Sequence, residues 1–434
     1  MKNLDLPYWV KYVPTMRYLI FSVLFLASQL FAFDASFWSD IQKYPVPKYR
    51  IGEQVEGVKA QSIFFEGELY KGNPTEVFAF YCTPSMLKGG KASDDKNLPA
   101  VVCVHGGGGR AFEQWVQLWA SKGYAAIAVN WRGNGPEKLY KNPTPEQKKK
   151  INPYLLNEGR VHLKNGGPEH THQTTSLDDG KAERDAWAYH AVGAIVRAHS
   201  LIRSFKEVDE NRTAITGISW GGYLTSLVSA IDTRFKVAVP VYGCGYICDF
   251  RERWRGSVGK DPVKTKRWIE VFEPSQSLKV AKVPMLFLNA PTDYWYPLSI
   301  WTRSAELPKN AQTLLVAGFT HGHYEGWSVP EIEEFIASKI NGKPPFLKLS
   351  KLVVEKNIAS CKVSDAKKMK SAKLFYTTTN DIPEWHKFKW ESVNVKNENG
   401  RLSAEIPTGS RAVYISITDT FGRRITTNAK ILIP

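Results

Sequence analysis

The sequence predicts an α/β fold: a doubly wound, mostly parallel sheet followed by a small, sandwich-like all-β unit. Two observations predict the first part and one the second. Short apolar runs alternate with amphipathic stretches over residues 100–340, the pattern of strands joined by crossover helices. Several of those runs end in turns rich in glycine, asparagine, histidine or aspartate, at the sheet edge where open parallel sheets collect ligands. After Lys373 the spacing changes to two-residue alternation broken by Asn/Gly turns, as in a small sandwich.

In chain order, residues 61–65 and 76–81 read as antiparallel strands with Gly72-Asn73 turning between them, and 88–97 as a polar loop. Residues 100–104 form a buried strand that runs into His105-Gly106-Gly107-Gly108-Gly109. Phe112, Trp115, Leu118 and Trp119 stripe a helix over 110–121, and Gly123 ends it. The strand 125–130 leads to Trp131-Arg132-Gly133-Asn134-Gly135. Residues 136–179 then interrupt the alternation with a lid-like insertion carrying Tyr140, Tyr154, His162, His170 and His172. A helix over 185–204 precedes a short strand at 213–216, the sequence Gly217-Ile218-Ser219-Trp220-Gly221-Gly222, and a helix from Tyr223 to Ile231. Next come a strand at 235–241 and a Trp/Arg-rich segment through Trp268. The strand 284–289 ends in Ala290-Pro291-Thr292-Asp293, and 298–306 is helical. The strand 312–316 leads to Phe319-Thr320-His321-Gly322-His323, and 330–340 is the closing helix. The expected organisation is an export signal over 1–32, a core domain over 33–342, a basic linker over 343–372 and the β unit over 373–434.

The chain has 434 residues, 43% of them hydrophobic, enough for one large domain and a small one. Arg17 precedes fourteen mostly apolar residues, 18–31, too few to span a bilayer comfortably. This reads as an export signal with cleavage after Ala32, Met16 serving as an alternative start, and an uncleaved anchor as the second reading. Export places the chain in a periplasm, at a cell surface or in the medium. Five cysteines give no disulfide framework. The net charge is +16, of which +2 (Lys2, Lys11 and Arg17 against Asp5) belongs to the signal. The plain reading of that excess is a solvated surface and a basic linker, and attraction to a polyanionic polysaccharide or an outer surface is the sharper one. Nucleic acid is not expected, because no nucleic-acid motif accompanies the charge.

The chemistry rests on Gly217-x-Ser219-x-Gly221 between a strand and a helix, the nucleophile-elbow pattern. A serine nucleophile needs a base, an acid to orient that base, and N–H donors for the developing oxyanion. Asp293 and His321 each stand just past a strand, giving the order Ser219, Asp293, His321. His323 is the alternative base, or a substrate contact if His321 is the base. A metal bound by the two histidines lacks further ligands at a suitable spacing. The glycine run fits an oxyanion hole built from Gly106 or Gly107 N–H together with Trp220 N–H. Trp131 and Trp295, on neighbouring loops, are the expected substrate-facing aromatics.

The chain resembles α/β-hydrolases of the group that holds acetyl xylan esterases, dienelactone-hydrolase-like proteins and the catalytic domains of prolyl-oligopeptidase-type peptidases. The matching stretches are PAVVCVHGGGG (99–109), NWRGNG (130–135), VDENRTAITGISWGG (208–222), VPVYGCG (239–245), NAPTDYWYP (289–297) and FTHGH (319–323). Trp220 stands where deacetylases of this group usually carry glutamine, and Arg132-Gly133-Asn134 replaces their Arg-Gly-Gln. The resemblance implies a cofactor-free, metal-free serine hydrolase acting on a small-molecule or carbohydrate ester, with short acyl groups on sugar favoured. A peptidase is one alternative and a non-catalytic surface binding protein the other.

Overall fold

The computed structural model describes residues 32–55, 57–136, 162–168, 182–249, 261–379 and 387–432. Residues 1–31 of the expected signal lie outside them, as do Tyr140, Tyr154, His170 and His172 of the insertion. Among the described residues no helix is long and apolar enough to cross a membrane.

The core sheet comprises β1 (Tyr49–Ile51), β2 (Gln61–Glu66), β3 (Glu76–Cys82), β4 (Leu98–Val104), β5 (Ala125–Asn130), β6 (Val208–Ile218), β7 (Val237–Val241), β8 (Met285–Asn289) and β9 (Ala311–Leu315), in the order β1-β2-β3-β5-β4-β6-β7-β8-β9. The first three strands and the β3–β5 contact are antiparallel, and β5 to β9 run parallel. Every residue of β5, β7 and β8 is buried. Strands covered on both faces need continuous apolar runs, which is why these segments were legible.

The longer helices are α1 (Glu113–Ser121), α2 (Trp187–Arg203), α3 (Trp220–Ile231), α4 (Pro262–Phe272), α5 (Leu298–Ala305) and α6 (Pro330–Ile340). On one face Tyr124 Oη, just after α1, donates to Glu333 Oε1 of α6 at 3.2 Å. On the other, the rings of Trp187 (α2) and Trp220 (α3) meet edge-on at 5.2 Å. The chain passes from β4 to β5 in one direction and then returns beyond β4 to β6. That reversal opens a crevice at the C-terminal ends of β4 and β6. Helix α4 was not anticipated, although its signals are local. Asp261 caps it by accepting from Val263 N at 2.8 Å and Lys264 N at 3.3 Å, Pro262 follows, and Thr265, Trp268, Val271 and Phe272 form its buried stripe.

The C-terminal strands are β10 (Val353–Glu355), β11 (Ile358–Lys362), β12 (Met369–Thr377), β13 (Glu391–Asn394), β14 (Lys396–Glu398), β15 (Arg401–Glu405), β16 (Ala412–Asp419), β17 (Arg424–Thr426) and β18 (Lys430–Ile431). Strands β10-β11-β15-β14 form a separate antiparallel sheet, while β17-β16-β12-β13 extend the core sheet through one pairing, Thr426 with Thr313. Residues 343–372, expected as a linker, are therefore partly strand. Their lysines masked a period of two: in β11, Ala359 and Cys361 are buried and Lys362 is exposed. Arg424 clamps this unit to α6 through Glu331, at 2.6 Å from Nε and 3.0 Å from Nη2.

Glu273, between α4 and the short helix Pro274–Ser277, is 1% exposed and accepts from Ser275 N at 2.7 Å and Ile247 N at 3.3 Å. Burial pushes its carboxyl up to about 7, partly offset by hydrogen bonds from Ser275 and Ile247. The folded chain thus holds this proton while the unfolded chain releases it near 4.5. Stability from this group is present below that value and is lost as pH rises to about 7, on the order of 3 kcal/mol in total. Thermal melts of wild type and Glu273→Gln should therefore diverge between pH 5 and pH 7.5, the wild type falling relative to the variant. A constant difference across that range means that Glu273 is ionised in the fold.

Candidate active site

Strand β6 ends at Ile218 and α3 begins at Trp220, with no residue between them but Ser219. Ser219 has φ 58° and ψ −118°, in the positive-φ region that non-glycine residues avoid. Such strain costs roughly 1–3 kcal/mol and persists only where the surroundings impose it. Ser219 N donates to Val241 O of β7 at 2.9 Å, and its carbonyl accepts from Tyr223 N at 3.0 Å. A Cβ on Gly221 would lie 2.0 Å from Val104 O, and one on Gly217 would lie 2.2 Å from Gly221 O. Only glycine permits that approach.

The loops after β8 and β9 bring Asp293 and His321 to the same edge. His321 Nε2 lies 2.9 Å from Ser219 Oγ, and His321 Nδ1 lies 2.7 Å from Asp293 Oδ2. Asp293 is 2% exposed, and its Oδ1 accepts from Trp295 N at 2.8 Å and Tyr296 N at 2.7 Å. Both carboxylate oxygens are thus engaged, and Oδ2 accepts a hydrogen bond from the imidazole Nδ1–H. Nε2 then carries the lone pair that faces the serine hydroxyl.

Two tyrosines flank His321 that the sequence reading did not single out. The Tyr242 ring lies 4.4 Å from the imidazole, and the Tyr296 ring stacks at 6.3 Å and 13°. Tyr242 is held by its Oη donating to Thr320 O at 2.7 Å. Burial raises the Tyr296 phenol well above its ordinary range. The available signal was position: each tyrosine follows a parallel strand at the edge that carries Ser219 and Asp293.

The second histidine does something else. His323 Nε2 accepts the N–H of Gly106 at 2.9 Å, and its ring packs 4.9 Å from Phe112. Gly106 N–H, expected as an oxyanion donor, is committed to that imidazole, which corrects the expectation and leaves Gly107 and Trp220 N–H. Gly107 O accepts from Arg132 Nη1, fixing the loop. Trp131 also departs from expectation. It is 4% exposed, its ring stacks on His105 at 5.1 Å and 15°, and its Nε1 donates to His105 O at 2.9 Å. It braces the glycine loop from behind instead of facing substrate. The Trp220 ring is 1% exposed, whereas Trp295, beside Asp293, is 41% exposed.

Of the insertion, residues 162–168 are described, and they pack on the turn after β5: Leu163 N donates to Gly133 O at 2.9 Å, and His162 bridges Asn134. All five cysteines are free and buried. Among the described residues no three His, Cys, Asp or Glu side chains converge as metal ligands.

The family described as acetyl xylan esterase (AXE1) matches residues 49–281, more than half of the chain. The chain belongs to that family, and hence to the esterases of the α/β-hydrolase type. The match contains the glycine loop and Ser219 but stops short of Asp293 and His321. Among solved structures, acetyl xylan esterase 1 from Thermoanaerobacterium sp. JW/SL YS485 is similar at 15% identity, covering 71% of this chain and 94% of that one with a TM-score of 0.51. Acetyl xylan esterase from Paenibacillus sp. R4 is 19% identical over 71% of this chain and 94% of its own, with a TM-score of 0.48. A puromycin-hydrolyzing peptidase from Mycobacterium tuberculosis is 18% identical over 68% of this chain and 41% of its own, with a TM-score of 0.46. At 15% identity the likeness to the Thermoanaerobacterium structure is one of fold.

The contact at Gly221 predicts a steep position dependence. Gly221→Ala should cost more than about 4 kcal/mol and leave little soluble folded protein. Gly108→Ala, where a Cβ meets nothing within 4 Å, should melt within about 2 °C of wild type. Equal melting temperatures for the two variants would contradict the tight elbow.

Proposed function

We propose that this member of the acetyl xylan esterase family is an exported serine esterase that removes short acyl groups from carbohydrate through an acyl-enzyme on Ser219. The observation that carries the reading is the unbroken run of hydrogen bonds from Asp293 Oδ2 through His321 to Ser219 Oγ, at 2.7 and 2.9 Å. In this scheme Ser219 Oγ attacks the ester carbonyl while His321 Nε2 takes its proton. Trp220 N–H, at the start of α3, and Gly107 N–H receive the oxyanion. Collapse breaks the bond to the sugar oxygen, which takes the proton from His321. Water then attacks the acyl-enzyme, His321 accepts its proton, and the carboxylic acid leaves with Ser219 restored. Asp293 stabilises the imidazolium formed at each step.

The sugar preference rests on the exposed rings near the site. Trp295 is 41% exposed and Tyr324, next to His323, is 37% exposed. Flat rings with polar neighbours suit the apolar C–H faces and hydroxyl rims of pyranosides. Export rests on the apolar run after Arg17.

Ser219→Ala and His321→Ala should each lower kcat by several orders of magnitude, to a similar residual, because they act as one unit. His323→Ala should cost only about ten- to a hundredfold, since it loosens the glycine loop without removing the base. Steady-state kinetics on 4-nitrophenyl acetate decide this, and the opposite ranking of the two histidines moves the base to His323.

Substrate class is tested separately. Acetylated xylo-oligosaccharides should be turned over, and activity on 4-nitrophenyl esters should fall from C2 to C12. Activity that rises with chain length, with no acetate released from any saccharide, would overturn the sugar-ester reading.

A further inference from the structure

A large groove among the described residues lies away from Ser219. It measures about 990 Å³ and lies where β1, β2, the loop before β4 and the end of α2 meet. The seven residues of β4 separate Lys96 on its rim from the glycine loop, a distance on the order of 20 Å at about 3.3 Å per residue. It therefore occupies the opposite edge of the sheet from the hydrogen-bonded serine.

Its lining combines two features. One is an aromatic and apolar floor: Tyr49 is 49% exposed and Ile51 56% exposed on the edge strand β1. Tyr49 packs edge-on to Phe205 at 5.7 Å, which in turn meets Tyr81 at 4.8 Å. Tyr81 is fixed by its Oη donating to Glu207 Oε1 at 2.7 Å, so the Tyr49 face rests on a rigid base. The other feature is charge. Lys59, Lys91, Lys96 and Lys206 line the groove and are exposed, against two carboxylates, Asp95 and Glu207. Asp95 is engaged by Ser85 through N at 3.0 Å and Oγ at 2.8 Å, and Glu207 by Tyr81.

We propose that this groove is a second carbohydrate site, one that binds uronate-bearing, acidic oligosaccharide without turning it over. Exposed ring faces stack on sugar C–H surfaces, and lysine ammonium groups meet the uronate carboxylates and adjacent hydroxyls. A neutral glycan offers the lysines no counter-charge, and a lipid or a sulfated polymer without pyranose faces leaves Tyr49 idle. The site stands independently of the esterase reading, because it shares no residue with the Ser219 cluster. It would hold the enzyme on an acidic polymer while the far edge of the sheet works on ester groups.

Isothermal titration of the intact protein with trigalacturonate, xylotriose and inorganic polyphosphate tests this. Trigalacturonate should bind at least about tenfold more tightly than xylotriose and weaken with added salt. Tyr49→Ala should weaken trigalacturonate binding about tenfold and leave polyphosphate binding unchanged. The pair Lys96→Glu, Lys206→Glu should abolish it, and the pair Lys96→Arg, Lys206→Arg should keep it within about threefold. Turnover of 4-nitrophenyl acetate should stay within twofold of wild type in every variant, and Ser219→Ala should bind trigalacturonate as wild type does. Failure of the arginine pair to bind, insensitivity to Tyr49→Ala, or equal affinity for xylotriose and trigalacturonate would each overturn the proposal.

Discussion

The contact on which the rest of the structure depends is the approach of Gly221 to the carbonyl of Val104. It is closer than any side chain would permit, 2.0 Å from where a Cβ would stand. Because Val104 is the last residue of β4 and Gly221 lies in the first turn of α3, this one contact seats two things at once. It forces Ser219 into positive φ at the end of β6, and it places the glycine loop leaving β4 directly beside that serine. In the proposed mechanism a nucleophile and its oxyanion donors must keep a fixed relation to each other, and this backbone contact would set it without any flexible side chain.

A layer of aromatic and histidine side chains then holds the loops that the elbow has brought together. Trp131 supports His105 from behind, His323 receives Gly106 N–H from the side, and Tyr242 and Tyr296 bound the His321 ring. The high tryptophan content is explained mainly by packing: Trp38, Trp115, Trp220, Trp268 and Trp301 are fully buried. Trp295 is the exception near the site, and its backbone N–H also fixes Asp293. The two histidines, one residue apart, thus divide two tasks: one faces the serine hydroxyl, and the other shapes the loop opposite it.

The two edges of the sheet also differ in the side chains they gather. The C-terminal ends of the parallel strands gather Ser219, Asp293 and His321, while the edge where β4 begins carries the lysine-rimmed groove. Beyond β9, the C-terminal strands add to the sheet through a single pairing and lean on the Arg424–Glu331 ion pair. Glu331 is 5% exposed on its side chain, so loss of Arg424 would leave a buried carboxylate without this partner.

Much of this was legible in the sequence because it is local. Continuous apolar runs mark strands buried on both faces, and Gly217-x-Ser219-x-Gly221 records a turn too tight for a Cβ. Asp293 and His321 sit where strand-end chemistry must sit, so the ordered set of motifs was readable without coordinates. The alternating burial of β11 was present too, but outward-facing Lys362 and the lysines around the strand gave the stretch the composition of a linker. What only the tertiary structure decided is which way side chains and N–H groups face. Nothing near Trp131 in the chain says that it lies under His105, and Gly106 and Gly107 differ only in that His323, 217 residues after Gly106, meets one of them. The groove is likewise assembled from four separated segments, none of which carries a motif. Period and turn type are encoded by neighbours in the chain, whereas exposure and hydrogen-bond partnership are set by whichever distant segment packs there.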